Sequence, residues 1–142
     1  MAAENNLWQT IRPRLQRAGF FCQRIETSTG EGVPDVWIGK GDDYIWIENK
    51  AIKEWPKRES SRVFGDDGLR TEQVNWHIAA TQKRIRACIL AGVGVGAKRQ
   101  LFLVPSRYCE LFNLYTKREL EEWACSLDSL PELLRTLGKG RV

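Results

Sequence analysis

Histidine is almost missing from this 142-residue chain, with His77 the only one. Cysteine is sparse as well: Cys22, Cys88, Cys109 and Cys125 lie far apart, with no Cys-x-x-Cys spacing. A structural zinc site needs four clustered nitrogen or sulfur ligands, and this inventory does not supply them. The same scatter argues against a disulfide framework and predicts small buried thiols in a reducing compartment. No apolar run approaches the length of a bilayer span, and the opening residues MAAENNLWQT show no leader-peptide pattern. The expectation is a cytoplasmic protein with no membrane partner. Gly92-Val-Gly-Val-Gly96 has the look of a nucleotide loop, but its spacing is incomplete and no Lys-Ser/Thr follows it. It reads as a turn.

What is present is a balanced globular composition, 42% apolar and 28% charged, on a length that suits a single domain. No internal repeat or second domain is visible. The net charge of +4 favours an anionic partner. Its distribution says more. Between Glu26 and Glu48 six acids face one base, Lys40, whereas bases cluster in Arg12-x-Arg14-x-x-Arg17 and Lys83-Arg84-x-Arg86. A local acidic patch within a basic surface suits metal-dependent work on a phosphodiester, although two solvated faces would give the same counts.

The apolar positions Leu7, Trp8, Ile11, Leu15 and Ala18 predict a helix over 4–18, kinked or broken at Pro13 and ended by Gly19. Strands are expected over 20–25, 33–38 and 44–50, with a loop at 27–32 and a hairpin turn at 39–43. Residues 51–70 read as a long, mobile surface loop. A long helix is expected over 71–91 from the stripe Val74, Ile78, Thr81, Ile85, Cys88 and Ile89, ended by the Gly92–Gly96 turn. A strand over 100–104, another over 108–114, and helices over 117–125 and 131–137 complete the chain. The order is α-β-β-β-α-β with C-terminal additions, which calls for a mixed sheet flanked by helices.

Within that order, Gly32-Val-Pro-Asp35 lies before the second strand and Glu48-Asn-Lys50 lies in the third. Glu48 and Lys50 fall on one strand face with Tyr44 and Trp46, and hairpin pairing brings Asp35 close to Glu48. Two carboxylates can hold Mg²⁺, with the Asn49 carbonyl as a further oxygen, and a lysine beside them can orient water or steady charge on a phosphate. Taken without context, the same residues also read as a turn aspartate and a surface ion pair.

Pro34-Asp35 … Glu48-Asn49-Lys50 on this element order resembles the PD-(D/E)xK nuclease superfamily, and looks most like its small phage-type members and junction resolvases. The likeness implies a restriction-endonuclease-like α/β core at about 4–105, with a short helical addition over 106–142, all in one nuclease domain. It implies metal-dependent DNA endonuclease activity, either junction-resolving or site-specific in the restriction or homing manner. Asp35 and Glu48 would be metal ligands, Lys50 the catalytic base or charge stabiliser, Mg²⁺ the cofactor with Mn²⁺ as substitute, and a homodimer the acting form. Two positions fit more loosely: Glu4 as an additional first-helix acid, and Gln73 as a glutamine early in the helix after the Glu-x-Lys strand. Lys53, Lys57, Arg58, Arg62 and Arg70 are candidate phosphate contacts, and a solvated basic loop explains them nearly as well. Trp46, Trp55 and Trp76 could stack bases, yet aromatics are more often core. The competing function is a catalytically inactive nucleic-acid-binding module that keeps the fold.

Overall fold

The computed structural model describes residues 2–25 and 31–139. Most of the loop expected over 27–32 lies outside the described residues. Helix α1 (Ala2–Arg17) buries Leu7, Trp8, Ile11 and Leu15, the stripe that its period marks out. Pro13 does not break it. The residue lies on the exposed side, so the Gln9 carbonyl left without a donor can turn to water. Gly19, at a φ of +96°, ends the helix as expected.

Strands β1 (Phe21–Arg24), β2 (Val36–Lys40) and β3 (Asp43–Ile52) form an antiparallel meander. Pairing of β2 with β3 continues to Lys40 and Asp43, so the connection is the two residues Gly41-Asp42 rather than 39–43. Gly41 meets the positive φ that such a turn requires, at +64°. The second strand starts at Val36 rather than Val33, which leaves Asp35 at its mouth.

The helix expected over 71–91 is two elements. Helix α2 (Thr71–Gln82) closes with Arg84 in the left-handed region, at a φ of +58°. The Ile85 N–H donates to the Ala80 carbonyl and the Arg84 N–H to the Thr81 carbonyl, a Schellman closure with arginine where glycine is usual. Residues Ala87–Val93 then form β4, buried along its whole length. A strand covered on both faces shows no alternation, so its apolar run extended the helical stripe by accident.

Strand β4 pairs in parallel with β3 across the α2 crossover. Strands β5 (Gln100–Pro105) and β6 (Ala124–Cys125) follow antiparallel. Among the described residues the sheet runs β1-β2-β3-β4-β5-β6. The α-β-β-β-α-β order and the mixed, helix-flanked sheet are both there, with β4 rather than the Gln100 strand completing the order. The strand expected over 108–114 is instead a turn and helix α3 (Cys109–Phe112), since Cys109 and Phe112 bury one helical face. The helix expected over 117–125 stops early, as α4 (Lys117–Glu121), and gives way to β6; α5 (Leu130–Gly138) matches the last one.

One sheet face packs Val36, Ile38, Ile45, Ile47, Cys88 and Leu90 against α1 and α5. The other packs Ile89, Ala91, Val93, Phe102 and Val104 against Val63, Phe64, Leu69, Phe112 and Leu120. The loop after β3 is therefore fastened rather than loose. Asn113 accepts the Leu69 N–H and donates to the Leu69 carbonyl, both at 2.7 Å. The Val63 N–H donates to the Tyr115 carbonyl at 2.9 Å. The four cysteines are free thiols, three of them buried. No described helix is long and apolar enough to cross a membrane.

Candidate active site

Alternation along β3 decides what faces the cleft. Ile45 and Ile47 point into the α1 side, so Trp46, Glu48 and Lys50 project from the opposite face. Beyond Val36 the β2 ladder has ended, and the Asn49 N–H donates instead to Asp35 Oδ2, at 3.0 Å. An extended residue sends its N–H and C=O from the same strand edge, so the Asn49 carbonyl leaves toward Asp35 as well.

A cleft of about 890 Å³ opens here, lined by Asp35, Glu48, Lys50, Gln73 and Glu4. Lys53, Lys57 and Arg70 join its rim, while Arg58 and Arg62 lie outside it on the exposed side of the same loop. Glu48 is 1% exposed, and its Oε1 has no hydrogen-bond partner. Burial, then the charge and hydrogen bonding of Asp35, push its carboxyl up to about 10, against opposing pulls from Lys50 and Arg70. A buried carboxylate held this close to a second one needs a shared proton or a cation between them. Among the described residues no three His, Cys, Asp or Glu side chains converge as a metal cluster, so the donors at hand are this pair. Hard carboxylate oxygens, one of them orphaned, fit a divalent cation such as Mg²⁺.

Two features hold Asp35 and Gln73 in register. Gly32 has a φ of +77° and packs so close to α2 that a Cβ would fall 2.2 Å from the Glu72 carbonyl oxygen. The Gly32-Val-Pro-Asp35 segment is thereby docked on the first turn of α2. Gln73, buried in that turn, accepts the Arg70 N–H through Oε1 at 2.9 Å. Its oxygen is committed to capping, so what it can offer the cleft is amide hydrogens.

Sequence reasoning missed the cleft's second acidic group, Glu54, Asp66 and Asp67. An acid pair bracketed by Gly65 and Gly68 was the available signal. Nothing local, however, reveals that Asn113 folds that turn back toward β3.

His77 stands one helical turn beyond Gln73, fully buried and hydrogen-bonded through Nδ1 to Ser106 Oγ. Burial lowers its pKa from 6.5 to about 4. The unfolded chain therefore takes up a proton near pH 6.5 that the folded protein refuses until about pH 4. The share of stability linked to His77 is full above that window and falls by about 3 kcal/mol as pH drops through it. Urea midpoints of the parent and of His77→Gln at pH 7 and pH 4.5 isolate that share, and on going to pH 4.5 the variant should gain on the parent by most of it. An unchanged slope in the variant would refute the assignment.

No protein-family model matches the sequence, and no curated protein does. Solved structures do match in shape. Among them is Hjc, a Holliday junction resolvase from the archaeal hyperthermophile Archaeoglobus fulgidus, with a TM-score of 0.59 and 17% identity. The alignment covers 92% of this chain and 97% of Hjc. At that identity the likeness establishes the fold, a resolvase-like, restriction-endonuclease-like mixed α/β sheet.

Proposed function

We propose that this protein is a divalent-metal-dependent endodeoxyribonuclease of the PD-(D/E)xK type, acting on branched DNA as a homodimer. The observation that carries the reading is the buried Glu48 carboxyl set against the half-buried Asp35 carboxyl in a cleft they share with Lys50. Structural proteins rarely leave such a pair uncompensated, whereas functional sites often do. The resolvase-like fold supports a junction substrate, and two copies would supply one site per strand.

Asp35, Glu48 and the Asn49 carbonyl would hold the ion, Mg²⁺ or Mn²⁺, with Glu4 as a further candidate. A cation held there supplies Lewis-acid stabilisation of the phosphate. Lys50 projects beside Glu48, where its ammonium can orient the attacking water and stabilise charge on the phosphate oxygens. The water oxygen bonds to phosphorus, the P–O3′ bond breaks, and the 3′ oxygen leaves with a proton as a hydroxyl. Gln73 can donate its amide hydrogens to a phosphate oxygen. Lys53, Lys57 and Arg70 on the rim would meet the flanking phosphates, and Arg58 and Arg62 would act only on DNA extending past the cleft.

The test is cleavage of four-way-junction, linear duplex and single-stranded DNA, with Mg²⁺, with Mn²⁺ and with EDTA. The expected result is metal-dependent cutting that favours the junction and is lost in Lys50→Ala, while that variant still binds. Binding should weaken steeply with salt. Cutting retained in Lys50→Ala would overturn the site. Binding without any cutting would leave the fold as a nucleic-acid-binding module.

A further inference from the structure

The face of β3 that carries Glu48 and Lys50 continues downward into aromatic residues that the core does not take up. Trp46 lies two residues below Glu48, and its ring packs edge-on against Trp76 of α2, with centroids 5.8 Å apart. Trp37 is the cross-strand partner of Trp46 on β2, on the same face. Its indole lies over Gly39, where a Cβ would come within 2.7 Å of the ring. At the sheet edge Phe21 meets Trp37 edge-on at 6.0 Å, with 60% of its surface exposed. Trp37, Trp46 and Trp76 are each half-buried. The apolar cluster on this side of the sheet contains nothing from β1 or β2. A ridge of four rings thus crosses the sheet below the cleft, partly open to solvent.

We infer that this ridge is a stacking platform for unpaired bases of the DNA strand being cut. The inference rests on the nuclease reading and adds to it a substrate class: DNA with a single-stranded or splayed segment next to the scissile phosphate. Position supports this occupant. Trp46 is about 7 Å along the strand from Glu48, twice the spacing of nucleotides in a stacked duplex strand. A base lying on the ridge therefore belongs to a nucleotide adjacent to the cleft on an extended strand. Charge supports it too. At the foot of the same strand the Arg86 guanidinium lies 5.1 Å over the Tyr44 ring, beside a hollow lined by Arg84, Arg86 and Arg107 and by no acid. Rings for bases beside arginines for phosphates is the pattern of single-strand binding, and duplex base pairs offer no free face to such rings.

The experiment compares binding in EDTA of a blunt duplex with the same duplex carrying an unpaired tail. The parent protein, Phe21→Ala, Trp37→Ala and Trp37→Phe are compared by fluorescence anisotropy. Phe21 is exposed enough that its alanine variant should fold normally. The parent should prefer the tailed DNA, and both alanine variants should bind it about tenfold more weakly with blunt-duplex affinity unchanged. Trp37→Phe should restore most of the preference, and 2-aminopurine in the tail should be quenched more strongly by the parent and by Trp37→Phe than by either alanine variant. Equal affinity for both DNAs, equal weakening on both, or no binding to either would overturn the inference. A shift from dimer to monomer in the alanine variants would also overturn it, by making the ridge a contact between copies. Tail-selective binding without cutting would keep the ridge and remove the nuclease reading. Cutting with unaltered preference in the alanine variants would do the reverse.

Discussion

Glu48→Gln should melt several degrees above the parent in EDTA, and should cut DNA at least about a hundredfold more slowly with Mg²⁺. Both effects come from the same burial. In the unfolded chain Glu48 titrates near 4.5, and in the folded protein near 10, because it is buried against Asp35. The folded state therefore binds an extra proton between those values. The stability linked to that proton is fully present below pH 4.5 and is lost as pH rises toward about 10. At neutral pH the metal-free protein carries this cost, and glutamine, of the same shape without the charge, removes it. A gain of about 2 kcal/mol, or roughly 6 °C, is expected. Thermal melts of both proteins with EDTA and with Mg²⁺ check it. Mg²⁺ should raise the parent's midpoint and leave the variant's unchanged. A parent indifferent to Mg²⁺, or a variant that melts below it in EDTA, would contradict the proposed ion site.

Gly32→Ala should damage fold and site together. The left-handed backbone costs an alanine about 1–3 kcal/mol, and overlap with the α2 main chain adds a similar amount. Main chain cannot rotate away as a side chain can, so the Gly32-Val-Pro-Asp35 segment must lift off α2. Lifting moves Asp35 away from Gln73 and breaks the register in which Asp35 accepts the Asn49 N–H. Destabilisation of about 4 kcal/mol is expected. A loss of about a hundredfold in cleavage should persist well below the melting temperature. Urea unfolding and single-turnover cleavage at low temperature measure the two parts. A stable variant with normal cleavage would show that the close approach of Gly32 to α2 does not hold the carboxylate.

How far the sequence could be read depended on the kind of signal each element carries. Strand β3 puts Ile45 and Ile47 on one parity and Glu48 and Lys50 on the other, so the shared face of Glu48 and Lys50 was legible from spacing alone. The hairpin before it was legible from its glycines. Strand β4 was not, because a strand buried on both faces has no period of its own, and because α2 ends on Arg84 where a glycine would have marked the boundary. The cleft's inner residues Asp35, Glu48, Lys50 and Gln73 are brought together by two close-lying segments and one helix turn. Its outer wall is not local. Asp66 and Asp67 depend on the grip of Asn113 on Leu69, a pairing 44 residues apart that no periodicity records. The basic loop residues divided accordingly, with Lys53, Lys57 and Arg70 at the rim and Arg58 and Arg62 away from it.

That grip also fixes an order of events at the ribosome. Asp35, Glu48 and Lys50 emerge early, but the wall beside them cannot set until Asn113 and Tyr115 have been made and folded back. A nascent chain stopped between β5 and α3 would carry Asp35, Glu48 and Lys50 with the Asp66–Asp67 wall of the cleft not yet fastened beside them. The proposed site is in this respect closed late, by residues that follow β5 rather than by those that carry its carboxylates.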